Sequence, residues 1–377
     1  MSTPSHPSIT KHFAELPDPR IGHAKRHLLL DILVIAICAI LCGADSWVEI
    51  ELWGRANRKW LETFLALPNG IPSHDTFGRV FARLDPKQFE RCFLEWVRAV
   101  SKLTQRQVVA IDGKKLRRSH DRTCGQKAIT MISAWATANQ LVLGQVKVKP
   151  RSNERTALPE LLRILELTGC IVTIDAMGSY PKVASQIVAR GADYLLAIKE
   201  NQGQLYEDLR DLFVGYMEAH FDRVPHGYCK TVDKHGRLEI RECWTVSDLA
   251  SLEFVRRRGN WPNLRTLVMV RAERQLEAKR SVETRFFISS VENNARRLLR
   301  VVRRHWGIEN GLHWVLDIDF REDESRVRKD NGPENFTVLR HIAVNVLKQE
   351  SSLKVGIKAK RMAAAWDRDY LRKVLSF

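Results

Sequence analysis

Three carboxylates stand where a chain can do chemistry. Asp112 closes the apolar run Val108–Ile111 and is followed by Gly113-Lys114. Asp175 closes a second run, Ile171–Ile174. Glu309 lies in Trp306-Gly307-Ile308-Glu309-Asn310, a segment of helical character. An acid at the end of a buried strand projects from the sheet edge, within reach of a ligand. Three such acids brought together could hold two divalent cations through hard oxygen donors and carry phosphodiester chemistry. Asp317, Asp319, Glu322, Asp323 and Glu324 follow close behind Glu309 and compete for the third place.

The elements that must position these acids change character along the chain. Residues 1–105 read as short helices joined by Pro/Gly turns: Leu28–Leu41, Ser46–Trp60, Phe77–Leu84 behind the N-cap Ser73, and Gln88–Leu103 after Pro86. Such a set suits a helix-turn-helix unit that grips DNA or a bundle that packs on its neighbour. From residue 106 the period shortens. Val108–Ile111, Ile129–Ala136 and Leu141–Lys149 read as strands, followed by helix 156–167, strand 171–174, helix 181–189, strand 194–198 and helix 202–221. The order β-β-β-α-β-α-β-α is what an α/β fold with a ribonuclease-H-like core requires. In that core the first and fourth strands are neighbours, which would bring Asp112 and Asp175 together. Residues 222–291 read as a β-rich insertion. Helix returns at 292–350, which completes the core with 106–221, and 351–377 reads as a basic C-terminal tail.

Charge narrows the class of partner. Lys+Arg number 61 against 44 Asp+Glu, a net charge of +17, and the pI is near 9.8. That balance favours a polyanion, nucleic acid above all. The seven cysteines are scattered and include no CxxC pair, which argues for a reduced cytoplasmic protein without structural zinc. The longest apolar stretch, Ile32–Cys42, is too short to span a bilayer and reads as a core helix.

The acidic segments, taken whole, match a known pattern. Ala110-Ile111-Asp112-Gly113-Lys114, Thr173-Ile174-Asp175-Ala176-Met177-Gly178 and His305-Trp306-Gly307-Ile308-Glu309-Asn310 resemble the three acidic blocks of bacterial insertion-sequence DDE transposases of the H-repeat-associated type. His12–Arg20 and Gly43–Trp47 resemble that family's N-terminal associated domain. Asn153-Glu154, Lys199 with Asn201-Gln202, His235-Gly236-Arg237, Arg321-Glu322-Asp323 and Gly332-Pro333-Glu334-Asn335 also fit. The resemblance implies a metal-dependent enzyme that cleaves transposon DNA ends and joins them to target DNA. Asp112, Asp175 and Glu309 would then be the catalytic, metal-binding triad for two Mg²⁺ ions, with Mn²⁺ able to substitute and Asp112 bridging both. Glu309 ranks above its downstream rivals by this motif.

The resemblance further implies double-stranded DNA partners, namely the element's inverted repeats and the target. It implies a homodimer at least in the synaptic complex, and a cytoplasmic, nucleoid-associated location without membrane contact. The alternative is a catalytically idle or domesticated relative, acting as a DNA-binding protein or a structure-specific nuclease. Wider insertion-sequence enzymes place Tyr, Arg and Lys at fixed steps around the third acid; here Val302, His305 and Leu316 stand there. His305, His313 and Arg303-Arg304 are the candidate phosphate contacts instead. Arg300 extends the same basic stripe, Lys114 and Lys115 follow Asp112, and Arg237 and Arg241 share one strand face with Glu239.

Overall fold

The computed structural model describes residues 9–22, 25–101, 106–121, 125, 127–150, 152–234, 238–276 and 279–375. Six helices precede the first strand: α1 (Ile9–Phe13), α2 (Leu29–Leu41), α3 (Trp47–Ala56), α4 (Arg58–Leu61), α5 (His74–Arg83) and α6 (Pro86–Val100). Every residue of α2 except Leu30 is buried, so this helix, apolar apart from Asp31, lies inside the helical layer and packs against α1 and α3. The caps are local. The Ser46 hydroxyl accepts from Glu49 N–H at 3.3 Å, the Ser73 hydroxyl accepts from Thr76 N–H at 3.4 Å, and Asp85 with Pro86 opens α6.

The strands then form one nine-stranded sheet. They are β1 (Val108–Lys115), β2 (Thr130–Ala136), β3 (Leu141–Lys147), β4 (Ile171–Ile174), β5 (Asp193–Ile198), β6 (His226–Asp233), β7 (Leu238–Val246), β8 (Thr266–Leu276) and β9 (Lys279–Ser289). Their order across the sheet is β3-β2-β1-β4-β5-β9-β8-β7-β6. β1, β4 and β5 are parallel, β2 runs antiparallel between β1 and β3, so that β3 shares the β1 direction, and β5 pairs antiparallel with β9. The segment expected as an insertion therefore extends the central sheet rather than forming a separate one. Helices α7 (Glu154–Ile164), α8 (Pro181–Ala189) and α9 (Gln204–Glu218) follow β3, β4 and β5, and α10 (Leu249–Arg256) links β7 to β8.

After the sheet come α11 (Ala295–His305), α12 (Trp314–Ile318) and α13 (Gly332–Gln349). Helix α11 lies across β1, β4, β6 and β7, while α13 packs against α2, α5, α6 and β3 and joins the helical layer to the sheet. The Asn345 amide takes both main-chain groups of Val142, accepting its N–H at 2.7 Å and donating to its C=O at 2.9 Å, next to the β2–β3 bulge.

Residues 351–375 are not a tail. They form α14 (Ile357–Trp366) and α15 (Arg368–Leu375), with Ile357, Ala364, Leu371 and Val374 buried. The Arg361 guanidinium donates to the Ile40 carbonyl at 2.9 and 3.0 Å and to Asp45 at 2.8 Å. It thereby adds to the Ile40 carbonyl, at the end of α2, a second donor beside the Gly43 N–H at 3.2 Å. Among the described residues no helix is long and apolar enough to cross a membrane.

Candidate active site

Asp112 and Asp175 meet through strand register. Ile111 on β1 stands opposite Ile174 on parallel β4, so Asp112 and Asp175 follow at the same level where this ladder ends. Asp175 lies just past β4, whereas β1 runs on and Asp112 still pairs with Ser133 of β2, so it does not close its strand as expected. Asp112 accepts from Gly113 N–H at 2.8 Å, and His313 Nδ1 lies 3.5 Å from its other oxygen. Burial, then the charges of Glu154, Glu309 and Asp175, push its pKa up to about 7. A Cβ at position 113 would fall 2.2 Å from Glu154 Oε1. Only glycine there admits the Glu154 carboxylate, delivered by the first residue of α7. Burial and the Asp175 charge raise the Glu154 pKa as well.

Asp175 is treated differently. Burial works against its ionisation, but it caps the following turn by accepting from Ala176 N–H at 2.7 Å, and Lys199 Nζ lies 3.0 Å away. These partners hold its pKa below the usual value. Asn201 donates to the Ala176 carbonyl at 3.2 Å and Gln202 donates to Ser179 O. The Lys199, Asn201 and Gln202 side chains thus fasten the loop that carries Asp175.

Glu309 opens a π-helical turn, Glu309–His313, between α11 and α12, where the chain's pattern suggested continuous helix. Such a turn re-aims side chains that a regular helix would present elsewhere. It rests on Trp135 of β2: a Cβ at Gly311 would lie 3.1 Å from that indole. Burial raises the Glu309 pKa against the opposing Arg285 charge. Asp112, Asp175, Glu309, Lys199, His305 and Arg285 together line a cavity of about 110 Å³.

The rival acids are engaged elsewhere. Lys114 Nζ lies 2.6 Å from Asp317, 3.5 Å from Glu322 and 3.4 Å from Asp323. Arg117 joins Asp323 and Arg340 approaches Glu322. Glu324 pairs with Arg321, and the charges that act on Asp319 come from Arg361, Lys358 and Lys348.

This arrangement revises several expected DNA contacts. Lys114 is enclosed by acids and mostly buried, so it is not a phosphate grip. His305 bonds Thr173 Oγ1 through Nδ1 at 2.9 Å. Burial drives the pKa of His305 and of His313 down to about 4. Neutral at physiological pH, they support the acids instead of attracting phosphate. Arg241 and Arg303 share Asp233, each at 2.9 Å. Lys115, Arg300 and Arg304 are exposed, as expected for a basic approach. Arg237 lies outside the described residues. Arg285, which no local motif marks, stacks 4.3 Å over the Trp306 ring. It lines both the small cavity and an adjoining cleft of about 660 Å³ between β7–β9 and α11. The role of Glu154 was equally hidden, although Asn153-Glu154 stands out as a motif.

Residues 10–97 match the model described as DDE_Tnp_1-associated, and residues 103–346 match that of the transposase DDE domain. The chain belongs to the DDE transposase family, H-repeat type. It is 37% identical over 375 residues to the Escherichia coli K12 protein named "H repeat-associated putative transposase YhhI", covering 98% of this chain and 97% of that one. It is 43% identical over 290 residues to a Xanthobacter autotrophicus protein described as "Uncharacterized protein in dhlA 3'region", covering 75% and 95% respectively. Among solved structures, a piggyBac transposase synaptic complex with hairpin DNA aligns at TM-score 0.45 and 11% identity over 97% of this chain and 77% of that one. That likeness is too loose to bear on the fold.

The DDE family's divalent metals can be tested against the donor set. Asp112, Asp175, Glu309 and Glu154 offer only carboxylate oxygens, which suit Mg²⁺ or Mn²⁺ in chemistry. Among the described residues no three His, Cys, Asp or Glu side chains already stand at ion-holding spacing, and Lys199 supplies the positive charge at Asp175.

Proposed function

We propose that this transposase-family chain cuts the ends of a mobile DNA element and joins them to target DNA, using Asp112, Asp175 and Glu309 in a ribonuclease-H-like core. The observation that carries the reading is the convergence of these three acids on one small cavity, while Asp317, Glu322, Asp323 and Glu324 stand beside cations of their own and Asp319 does not line the cavity. The order β3-β2-β1-β4-β5, with β1, β4 and β5 parallel, supports the core assignment. In this reading β6–β9 are the β-rich insertion and α1–α6 a helical N-terminal domain.

Asp112, Asp175 and Glu309 would hold Mg²⁺ or Mn²⁺, with Glu154 as a fourth carboxylate at Asp112; bound divalent ions would acidify a water or 3′-hydroxyl and stabilise the departing 3′-oxygen. The protein's own groups set the stage for that chemistry. Lys199, Asn201 and Gln202 hold the Asp175 loop, and neutral His313 stands behind Asp112. Lys115, Arg300 and Arg304 offer charge to the incoming backbone. Joining two element ends calls for two copies of the chain on paired ends.

The test is incubation of purified protein with duplexes that carry the element's inverted repeats, with Mg²⁺ or with EDTA. Nicking that needs Mg²⁺ and vanishes in Asp112→Asn, together with joined products on a target plasmid, is the expected outcome. Duplex binding without nicking would instead favour a DNA-binding relative without catalysis.

A further inference from the structure

A second charged recess lies in the helical layer, and none of its lining residues lines the catalytic cavity. It measures about 580 Å³, and Arg20, Arg26, His27, Arg55, Arg79 and Arg83 face it. No Asp or Glu, and no Trp, Tyr or Phe, is among its described lining residues. The acids close by are spoken for. Asp18 receives the Arg20 Nε and Nη2 at 2.9 and 2.8 Å. Glu51 takes Arg55 and the His74 main-chain N–H, the latter at 2.7 Å. Asp31 accepts from Leu67 N–H at 3.0 Å.

Two further details single this recess out from a merely basic surface. Arg20 is only 6% exposed, fixed by Asp18 and by the His27 carbonyl at 2.6 Å. Yet its Nη1 is buried without a hydrogen-bond partner among the described residues, as is His27 Nδ1. A buried donor left unmatched in a cavity without carboxylates wants an acceptor from outside. In addition Thr76, Arg79 and Arg83 fall three and four apart on α5, so they share one face of that helix. The two arginines are exposed at the rim while Arg20 is held at the base.

We propose that this recess grips consecutive phosphates of duplex DNA, a contact separate from the catalytic cavity. The proposal rests on the transposase reading for its choice of polyanion. Guanidinium forks match phosphate oxygens in pairs. The lack of aromatic lining argues against single-strand capture, which needs stacking platforms for bases. Arg79 and Arg83 meet the backbone first, and Arg20 completes the grip from below.

Fluorescence anisotropy of the full chain with a labelled duplex in EDTA tests this, using one duplex with the element ends and one of random sequence. Arg79→Ala with Arg83→Ala should weaken both complexes about ten- to a hundredfold. It should also flatten the slope of log affinity against log salt by about 1.8, the share of two phosphate contacts. Arg79→Lys with Arg83→Lys should keep the slope while binding more weakly than the parent. Loss of the same charge at exposed Arg210 and Arg223 should change affinity no more than about twofold. An unaltered melting temperature in each variant separates lost contact from lost fold. If the Arg79/Arg83 variant binds like the Arg210/Arg223 control while the parent binds and nicks, the recess is not a DNA grip and the transposase reading stands. If the parent binds neither duplex, both fall.

Discussion

Two groups of carboxylates sit beside β1 and meet opposite fates. Asp317, Glu322 and Asp323 gather around Lys114, with Arg117 and Arg340 at their backs. Each of them has a cation of the chain within 4 Å, although burial still raises the Glu322 pKa. Asp112, Asp175 and Glu309 line the neighbouring cavity with Glu154 close behind at Gly113, and among the described residues only Asp175 of these has a lysine or arginine in direct contact. The consequence is visible in Asp112, whose pKa rises to about 7 under burial and the surrounding negative charge. Adjacent acids in one stretch of sequence can therefore be sorted by whether the fold completes them. The group with cations of its own would be structural, and under the proposed function the other would receive an outside cation.

The largest effect expected from that distinction is on DNA cleavage. Asp112→Asn or Glu309→Gln should lower nicking of an inverted-repeat duplex by roughly a thousandfold or more. Asp317→Asn and Asp323→Asn should stay within about tenfold of the parent. Equal losses in both groups, measured by gel assay in Mg²⁺, would erase the contrast. Stability should respond the other way round. Lys114→Met leaves Glu322 buried with one cation fewer and should cost roughly 3–5 kcal/mol. Urea unfolding reads this directly, and a midpoint unchanged from the parent would show that Lys114 does not complete its cluster.

Much of this contrast was legible before the fold was known. Asp112 and Asp175 could be paired because each closes a four-residue apolar run, and the β-β-β-α-β order makes those two strands neighbours. Glu309 was legible as an acid but not in its geometry, since a shift to i→i+5 bonding leaves no periodic trace and depends on Trp135 lying under Gly311. Lys114 misled because a lysine two residues after a strand-end acid looks exposed. The acids that enclose it arrive from some two hundred positions away. Residues 351–375 read as a tail because their lysines and arginines mask buried Ile357, Leu371 and Val374. The joining of β9 to β5 is likewise a long-range pairing that local pattern does not encode.

A smaller effect tests the unanswered charge by pH. In EDTA, the folded chain holds a proton on Asp112 up to about pH 7, whereas the unfolded chain releases it near the ordinary aspartate value of 3.8. Stability from this group is thus fully present below pH 3.8 and is lost as pH rises through 7. Asp112→Asn removes that loss. It should be more stable than the parent at pH 8 by roughly 2–4 kcal/mol, with the gap closing toward pH 4. Parallel melting curves for parent and variant across this range would refute a raised Asp112 pKa.

The finest division falls within the incomplete group itself, at Glu154. Its carboxylate lies against Gly113, and no hydrogen bond or ion pair holds it among the described residues. If it serves as a fourth oxygen donor, Glu154→Gln should weaken Mn²⁺ binding about tenfold, read by the free-ion electron paramagnetic resonance signal. Gly113→Ala should do the same without touching any carboxylate, because the added methyl displaces the Glu154 side chain. A bystander predicts otherwise. Removing a negative charge beside Asp112 would ease its ionisation, and Mn²⁺ affinity at pH 6 would hold or rise in Glu154→Gln. The two substitutions agree only if Glu154 reaches the ion, and they diverge if it merely crowds Asp112.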